Sequence, residues 1–470
     1  MAQPSYNLVL IVADTYRKDN AALSPAAELR SPFFDKLQPF YAFDRCFSSA
    51  PWTLPACASI LSGIDSSSHG YFFHDRPLGR PTLGRYLNGK FQKVAIVNNR
   101  NLREFTGFPG DFDKYWYYPK HEEPFDRARQ VLTDTAGKRP FFFFFHTNIP
   151  HDYFREVSRD YYREMFPDDH DWFLLGARVG TWTGLPAQQR AKVRSIYDAS
   201  TRHMEEQLAA FLELIDLDQT IICFVADHGE GFDYDRARIH HGGRLHDDLL
   251  RVPMVLRLPG GAPREYHEKL AAAQEQSCGI VDILPTLLQL VEYTVPESIS
   301  GRSLLEPVST GRNRILVAED KRYLYRPTRQ RYNVNLRGQN TSLWSRLKNL
   351  AAQKTLIRGF NLKAYIRYPY KLIITSYHHP PYVSSLGTLV AENLFFSRDP
   401  LVQLEDIILS LELFDLEADP MESHNLLSGT SRLSLRNEIG DRLGDLTHMV
   451  VDIVGKTFSV ETAVQRAPAQ

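Results

Sequence analysis

The chain has 470 residues, 43% of them apolar and 24% charged, with 55 Lys and Arg against 56 Asp and Glu. This is the make-up of a soluble globular enzyme, and the length calls for two packed units rather than one small core. No apolar run approaches the roughly 18 residues of a membrane-spanning helix, and nucleic acid is not an expected partner.

The N-terminal stretch "MAQPSYNLVLIVADTYR" carries neither a basic leader nor a small-residue cleavage site, so cytoplasmic residence is the expectation. Within it, "NLVLIVAD" is a continuous apolar run ending at Asp14. The same form recurs in "RPFFFFFH", ending at His146, and in "TIICFVADH", ending at Asp227 and His228. Such runs fit strands covered on both faces, as in a parallel sheet. Helical periodicity fills the intervals over 122–136 and 187–217, so the fold class is α/β, a sheet with helices on both sides. Ligands collect at the carboxyl ends of such strands, where these polar residues stand.

The stretch "WTLPACASILSG" places Pro55 in a helical first turn and Gly63 at its stop, which puts Thr53 at a helix N-terminus. Free amide groups and the helix dipole there favour an anion. Thr53 is read either as a helix cap or as a nucleophile beside a metal. Asp14, as a carboxylate ending a buried strand, needs compensation from a salt bridge, a capped helix or a divalent cation. Oxygen and imidazole ligands suit Zn, Mn, Ca or Mg without choosing among them.

"VDILPTLLQLV" (281–291) reads as a further helix, and "SGRSLLEPV" closes a first domain, 1–310. Residues 311–470 are a smaller α+β unit, with strands near "RILVAED", "KLIITSY" and "ELFDLEADP" and a frayed last ten residues. Between Lys321 and Lys371 stand 13 Lys and Arg and no Asp or Glu. Inside that basic insertion, "TSLWSRLKNLAAQKTLIRGF" sets Trp344, Leu347 and Leu350 on one helical face among cations. It reads as a solvated insertion or as a contact for an anionic surface or partner. The four cysteines, Cys46, Cys57, Cys223 and Cys278, have no metal-finger spacing and read mostly as buried free thiols.

Taken in order, "NLVLIVADTYRKDN", "APWTLPACASILSG", "RPFFFFFHTNIPHDYF", "YDASTRHMEEQL", "FVADHGEGF", "HHGGRLHDDLLRVPMVLRLPG", "IVDILPTLL" and "SGRSLL" resemble the sulfatase-like branch of the alkaline phosphatase superfamily. The resemblance covers about residues 6–310 and the tail from "YIRYPYKLI" to "ELFDLEADPMESHNL". It implies an alkaline-phosphatase-like central, mostly parallel sheet. It also implies one divalent metal held by Asp14, Asp227 and His228, with Thr53 as exchangeable ligand; a second metal is not favoured. Asn99 and His151 would contact substrate oxygens, and His241, with His240 as neighbour, would serve as acid or base. His146, Asp198, Asp282 and Arg251 are read as structural.

The chain departs from the Cys-x-Pro-x-Arg pattern of sulfatases. Counting back ten from Gly63 places Thr53 at the cysteine and Cys57 at the arginine, while Asn99 and Gly242 fall where lysines stand. Formylglycine is therefore not expected. The leading expectation is a metal-dependent hydrolase of phosphate mono- or diesters, acting on a small anionic ester through a covalent Thr53 intermediate. Alternatives are a sulfuric ester hydrolase without formylglycine, a phosphoryl-group transferase on lipid or glycan substrates, and a non-catalytic binding module.

Overall fold

The computed structural model describes residues 6–21, 23, 30–72, 77–135, 139–153, 163, 187–233, 238–307, 314–324, 358–378 and 407–426. They form two compact units. The first runs to Glu319 and takes back Tyr365–Tyr368 and Pro420–Glu422; the second comprises the remainder from Asp320 on.

The strands in chain order begin with β1 (Asn7–Ala13), β2 (Tyr41–Ala42), β3 (Cys46–Phe47), β4 (Gln92–Val97), β5 (Lys114–Tyr117) and β6 (Phe141–Thr147). Then come β7 (Thr220–Ala226), β8 (Phe232–Asp233), β9 (Arg238–Ile239), β10 (Met254–Arg257) and β11 (Cys278–Gly279). Seven of these make the central sheet in the order β2-β10-β7-β1-β6-β4-β5. β7, β1, β6, β4 and β5 run parallel, and β10 is antiparallel to both its neighbours. The expected mostly parallel sheet is therefore present.

Its centre is legible in the phenylalanine run. Every residue of β6 and β7 is buried, which requires cover on both faces. Phe143 and Phe145 stack against Phe211 of the helix Ala187–Leu212, with ring centroids 5.9 and 5.5 Å away. Phe142 and Phe144, pointing the other way, meet Phe112 at 5.7 and 6.2 Å. Alternation along a strand thus feeds two cores, each buried ring contributing about 1.5–3 kcal/mol.

Strand register positions the site. Ala13 of β1 is level with Thr147 of β6 on one side and Ala226 of β7 on the other. The next residues, Asp14, Asn148 and Asp227, therefore leave the sheet together at its carboxyl edge, where ligands of open α/β sheets bind.

The helix Thr53–Ser62 begins at the expected threonine and ends at Gly63, whose φ of 67° is the left-handed conformation glycine takes without strain. A Cβ on Gly63 would meet Leu284 at 3.3 Å. Leu284 belongs to the helix Ile283–Leu290, formed where the "VDILPTLLQLV" periodicity predicts one.

The smaller sheet contains β12 (Leu316–Leu324), β13 (Arg358–Arg367), β14 (Tyr370–His378) and β15 (Ile407–Asp415), in that order. β14 and β15 are antiparallel, and the three expected strand segments all fall in this sheet. The basic amphipathic stretch 341–360 reaches the described residues only at 358–360, which begin β13; 325–357 lie outside them, as does the tail beyond 426. Among the described residues, no helix is long and apolar enough to cross a membrane.

Candidate metal centre and active site

Four side chains singled out in the sequence converge at the edge where β1 and β7 end. Thr53 Oγ1 lies 3.2 Å from Asp14 Oδ2 and 3.5 Å from His228 Nε2. His228 Nε2 is 3.5 Å from Asp14 Oδ1 and 3.6 Å from Asp227 Oδ2. All four residues are at most 1% exposed. Ligands at bond lengths of about 2.0–2.1 Å around a tetrahedral cation sit about 3.3 Å apart, close to these separations.

Each group is held so that one atom faces inward. Asp227 Oδ1 accepts from the amides of Thr15 (3.2 Å) and His228 (2.8 Å), which leaves Oδ2 toward the centre. Asp14 Oδ2 accepts from Asn99 Nδ2 at 2.6 Å and from Thr53, while its buried Oδ1 has no hydrogen-bond partner. His228 Nδ1 lies 2.9 Å from the Gly229 carbonyl, the partner of an Nδ1–H tautomer whose Nε2 lone pair is free to ligate. A Cβ on Gly229 would fall 2.0 Å from the Asp248 carbonyl, so glycine is required beside this histidine. Thr15, a β-branched residue at φ 58°, is a backbone outlier. Its hydroxyl bonds the Asp14 carbonyl, and its own carbonyl accepts from Tyr197. The strained turn thereby fixes how Asp14 leaves its strand.

Burial disfavours charge throughout this cluster. It raises the Asp14 carboxyl to about 6 against the opposing pull of His151, and it raises Asp227 well above the usual carboxylate range, with Asp14 adding to the effect. His228 is pushed well below the ordinary imidazole range by burial and then by His241. An unsatisfied carboxylate oxygen, a second inward carboxylate and a neutral imidazole form a donor set that fits a divalent cation.

Of the expected substrate-facing residues, Asn99 touches the threonine and the histidines cluster beside His228. Asn99 Nδ2 reaches Thr53 Oγ1 at 3.3 Å as well as Asp14. The rings of His151 and His241 are 5.0 Å apart, and His241 stands 4.6 Å from His228 and 4.0 Å from His240. Burial opposes a charge on half-buried His151, but Asp14, Asp152 and Glu230 overcome it and raise its pKa to about 9. His241 Nδ1 is 3.2 Å from Glu230 Oε2.

Three of the residues read as structural have polar partners outside the site. Asp198 is paired with Asn20 and Arg194, Asp282 with Arg314 and two backbone amides, and Arg251 with Asp44. His146 is wholly buried on β6, and burial draws its pKa down to about 3. All four cysteines are free and buried.

Sequence reasoning passed over Asn148, whose Oδ1 accepts from Asn99 at 2.8 Å, and Glu230, which backs His241. Both had a signal. Asn148 follows the β6 run two residues beyond His146, and Glu230 follows the Asp-His pair by two.

A family model for Sulfatase matches residues 6–293. An arylsulfatase of Clostridium perfringens is 22% identical over 379 residues, covering 63% of this chain and 77% of the relative. A ulvan-active sulfatase of Formosa agariphila is 22% identical over 64% of both chains, so this chain spans under two thirds of that relative's length. Among solved structures, the phosphonate monoester hydrolase of Agrobacterium radiobacter superposes with a TM-score of 0.61 at 17% identity, covering 94% of this chain and 96% of that one. A protein solved with its substrate D-glucosamine-2-N,6-O-disulfate gives 0.63 at 14%, covering 96% and 98%. At these identities the superpositions speak to the fold, which is the one the sequence motifs imply. The match over 6–293 takes in Asp14, Thr53, Asp227 and His228 alike, and this chain belongs to the sulfatase family of hydrolases.

Proposed function

We propose that the chain is a metal-dependent hydrolase of phosphate esters, phosphodiesters foremost, in which Thr53 forms a covalent intermediate. The observation that carries this reading is the hydroxyl of Thr53, buried at a helix N-terminus within 3.2–3.5 Å of an Asp14 oxygen and of His228 Nε2. Asp14, Asp227 and His228 would hold one divalent ion with Thr53. When bound, that ion supplies an acidified hydroxyl and a counter-charge for a non-bridging oxygen.

The protein's own groups do the rest. Asp14 Oδ2 accepts the Thr53 proton, and Asn99 keeps that carboxylate and the hydroxyl in line. Thr53 Oγ1 bonds to phosphorus while the ester oxygen leaves, taking a proton from His241. Water then attacks phosphorus, His241 takes its proton, and the Oγ1–P bond breaks as Thr53 Oγ1 recovers its proton from Asp14. His151, with its raised pKa, binds the anionic ester, and Asn148 orients Asn99.

The charge of the site favours phosphodiesters within this scheme. Cys57 and Asn99 occupy the positions of the family's arginine and lysine, which leaves histidine as the cation near Thr53 among the site residues described. A singly charged diester makes the smaller demand on such a site. A second reading, hydrolysis of sulfuric esters, is supported by the arylsulfatase and ulvan-active sulfatase relatives. Against it stands the single hydroxyl of Thr53, which cannot expel sulfate by collapse as a geminal diol can.

The test is Thr53→Ala assayed on an aryl phosphodiester and an aryl sulfate. A loss of at least about 10³-fold on the diester, with metal content retained and a phosphoryl adduct trapped on the Thr53 peptide of wild type, is the expected result. Activity on the sulfate alone would select the second reading, and undiminished turnover in the variant would end both.

A further inference from the structure

We propose that Cys57, His146 and Asp227 form a second cation site behind the first, taking a thiophilic divalent ion such as zinc, with Asp227 shared between the two. The ligating atoms of the three residues lie within 4.8 Å of one another, and all three side chains are wholly buried. Among the described residues this is the only such cluster that contains a sulfur.

Three observations carry the assignment. Cys57 follows Thr53 by one helical turn, so both face the same carboxylate edge. Its Sγ lies 3.9 Å from Asp227 Oδ2, against about 3.5 Å for a sulfur and an oxygen sharing a tetrahedral zinc. The decisive observation is His146. It is 0% exposed, its Nε2 lies 3.5 Å from Asp14 Oδ2, and neither ring nitrogen makes a hydrogen bond, although an imidazole carries a donor and an acceptor that both need one. A ligated metal satisfies one nitrogen directly.

Thiolate plus imidazole selects zinc over calcium or magnesium, which prefer oxygen donors. The Cys57 thiol releases its proton to solvent as the metal binds. With both cations present, the anions of Asp14, Asp227 and Cys57 are more than matched, and Asp227 Oδ2 is the shared ligand atom. The work of this second ion is to position Asp227 and offset its charge.

The experiment strips the full-length chain with a chelator, reloads it with Co²⁺, and records bound metal and absorbance. Two equivalents and a near-ultraviolet thiolate-to-cobalt band are expected in wild type. Cys57→Ser should retain one equivalent and lose the band, His146→Gln should weaken the second equivalent at least about tenfold, and Thr53→Ala should keep the band. The wild-type spectrum depends on no variant's folding. One equivalent without the band, or a band that survives in Cys57→Ser and so arises from another cysteine, overturns this inference and leaves the function proposed for Thr53 standing. No uptake at all overturns both.

Discussion

Asp14 and Asp282 are both buried aspartates of the same unit, and they differ in how they are satisfied. Asp282 is capped from three directions: its oxygens accept from the amides of Gly279 (2.9 Å) and Arg302 (2.7 Å), and Arg314 pairs with it. Asp14 has hydrogen bonds on one oxygen and none on the other, which faces His228 Nε2 at 3.5 Å. Burial alone therefore does not mark a functional carboxylate. The distinguishing sign is a buried carboxylate oxygen left without a hydrogen bond beside other metal-ligating atoms.

The strongest way to break that contrast is to neutralise each aspartate in turn. Asp14→Asn should retain the fold and lose metal, with turnover down by about 10²–10⁴-fold, read from metal content and kinetics. Asp282→Asn should do the reverse, costing about 3–5 kcal/mol in denaturant unfolding by stranding Arg314 while leaving kcat per folded molecule unchanged. If Asp14→Asn unfolds the chain and keeps its metal, the contrast fails.

A smaller effect sharpens the description of Asp14 itself. Asn99→Ala removes the donor to its bonded oxygen and should lower kcat about 10–100-fold with metal still bound. The mildest test concerns the neighbouring imidazole. Asp152 lies 2.8 Å from His151 Nδ1 and is one of the carboxylates that raise its pKa. Removing that charge in Asp152→Asn lowers the His151 pKa, so the imidazole loses its proton at lower pH. The alkaline limb of kcat/KM should move acidward by about one unit, and an unmoved limb would remove His151 from substrate binding.

Much of this was legible in the amino-acid order. Apolar runs that end in Asp14, His146 and Asp227 announce strands with polar ends, and Pro55 with Gly63 brackets the helix that starts at Thr53. What the order does not contain is register. Asn148 reaches the site because Thr147 is level with Ala13 across β6 and β1, a match between residues more than 130 positions apart. Glu230 was hidden for a related reason: its partner His241 comes back to it because β9 pairs antiparallel with β8. The resemblance marked Cys57 as a departure, but its approach to Asp227 depends on how the helix Thr53–Ser62 is rotated against β7, which periodicity along one segment does not specify.

The in-step ending of β1, β6 and β7 carries one more consequence. A slip of one residue in either of the two pairings would turn its polar residue to the opposite face and carry it roughly 3.3 Å along the sheet. Cation retention therefore works as a proofreader of threading. A chain that keeps its ion has aligned segments that the ribosome made far apart in time, and a misthreaded one is recognisable by what it cannot hold.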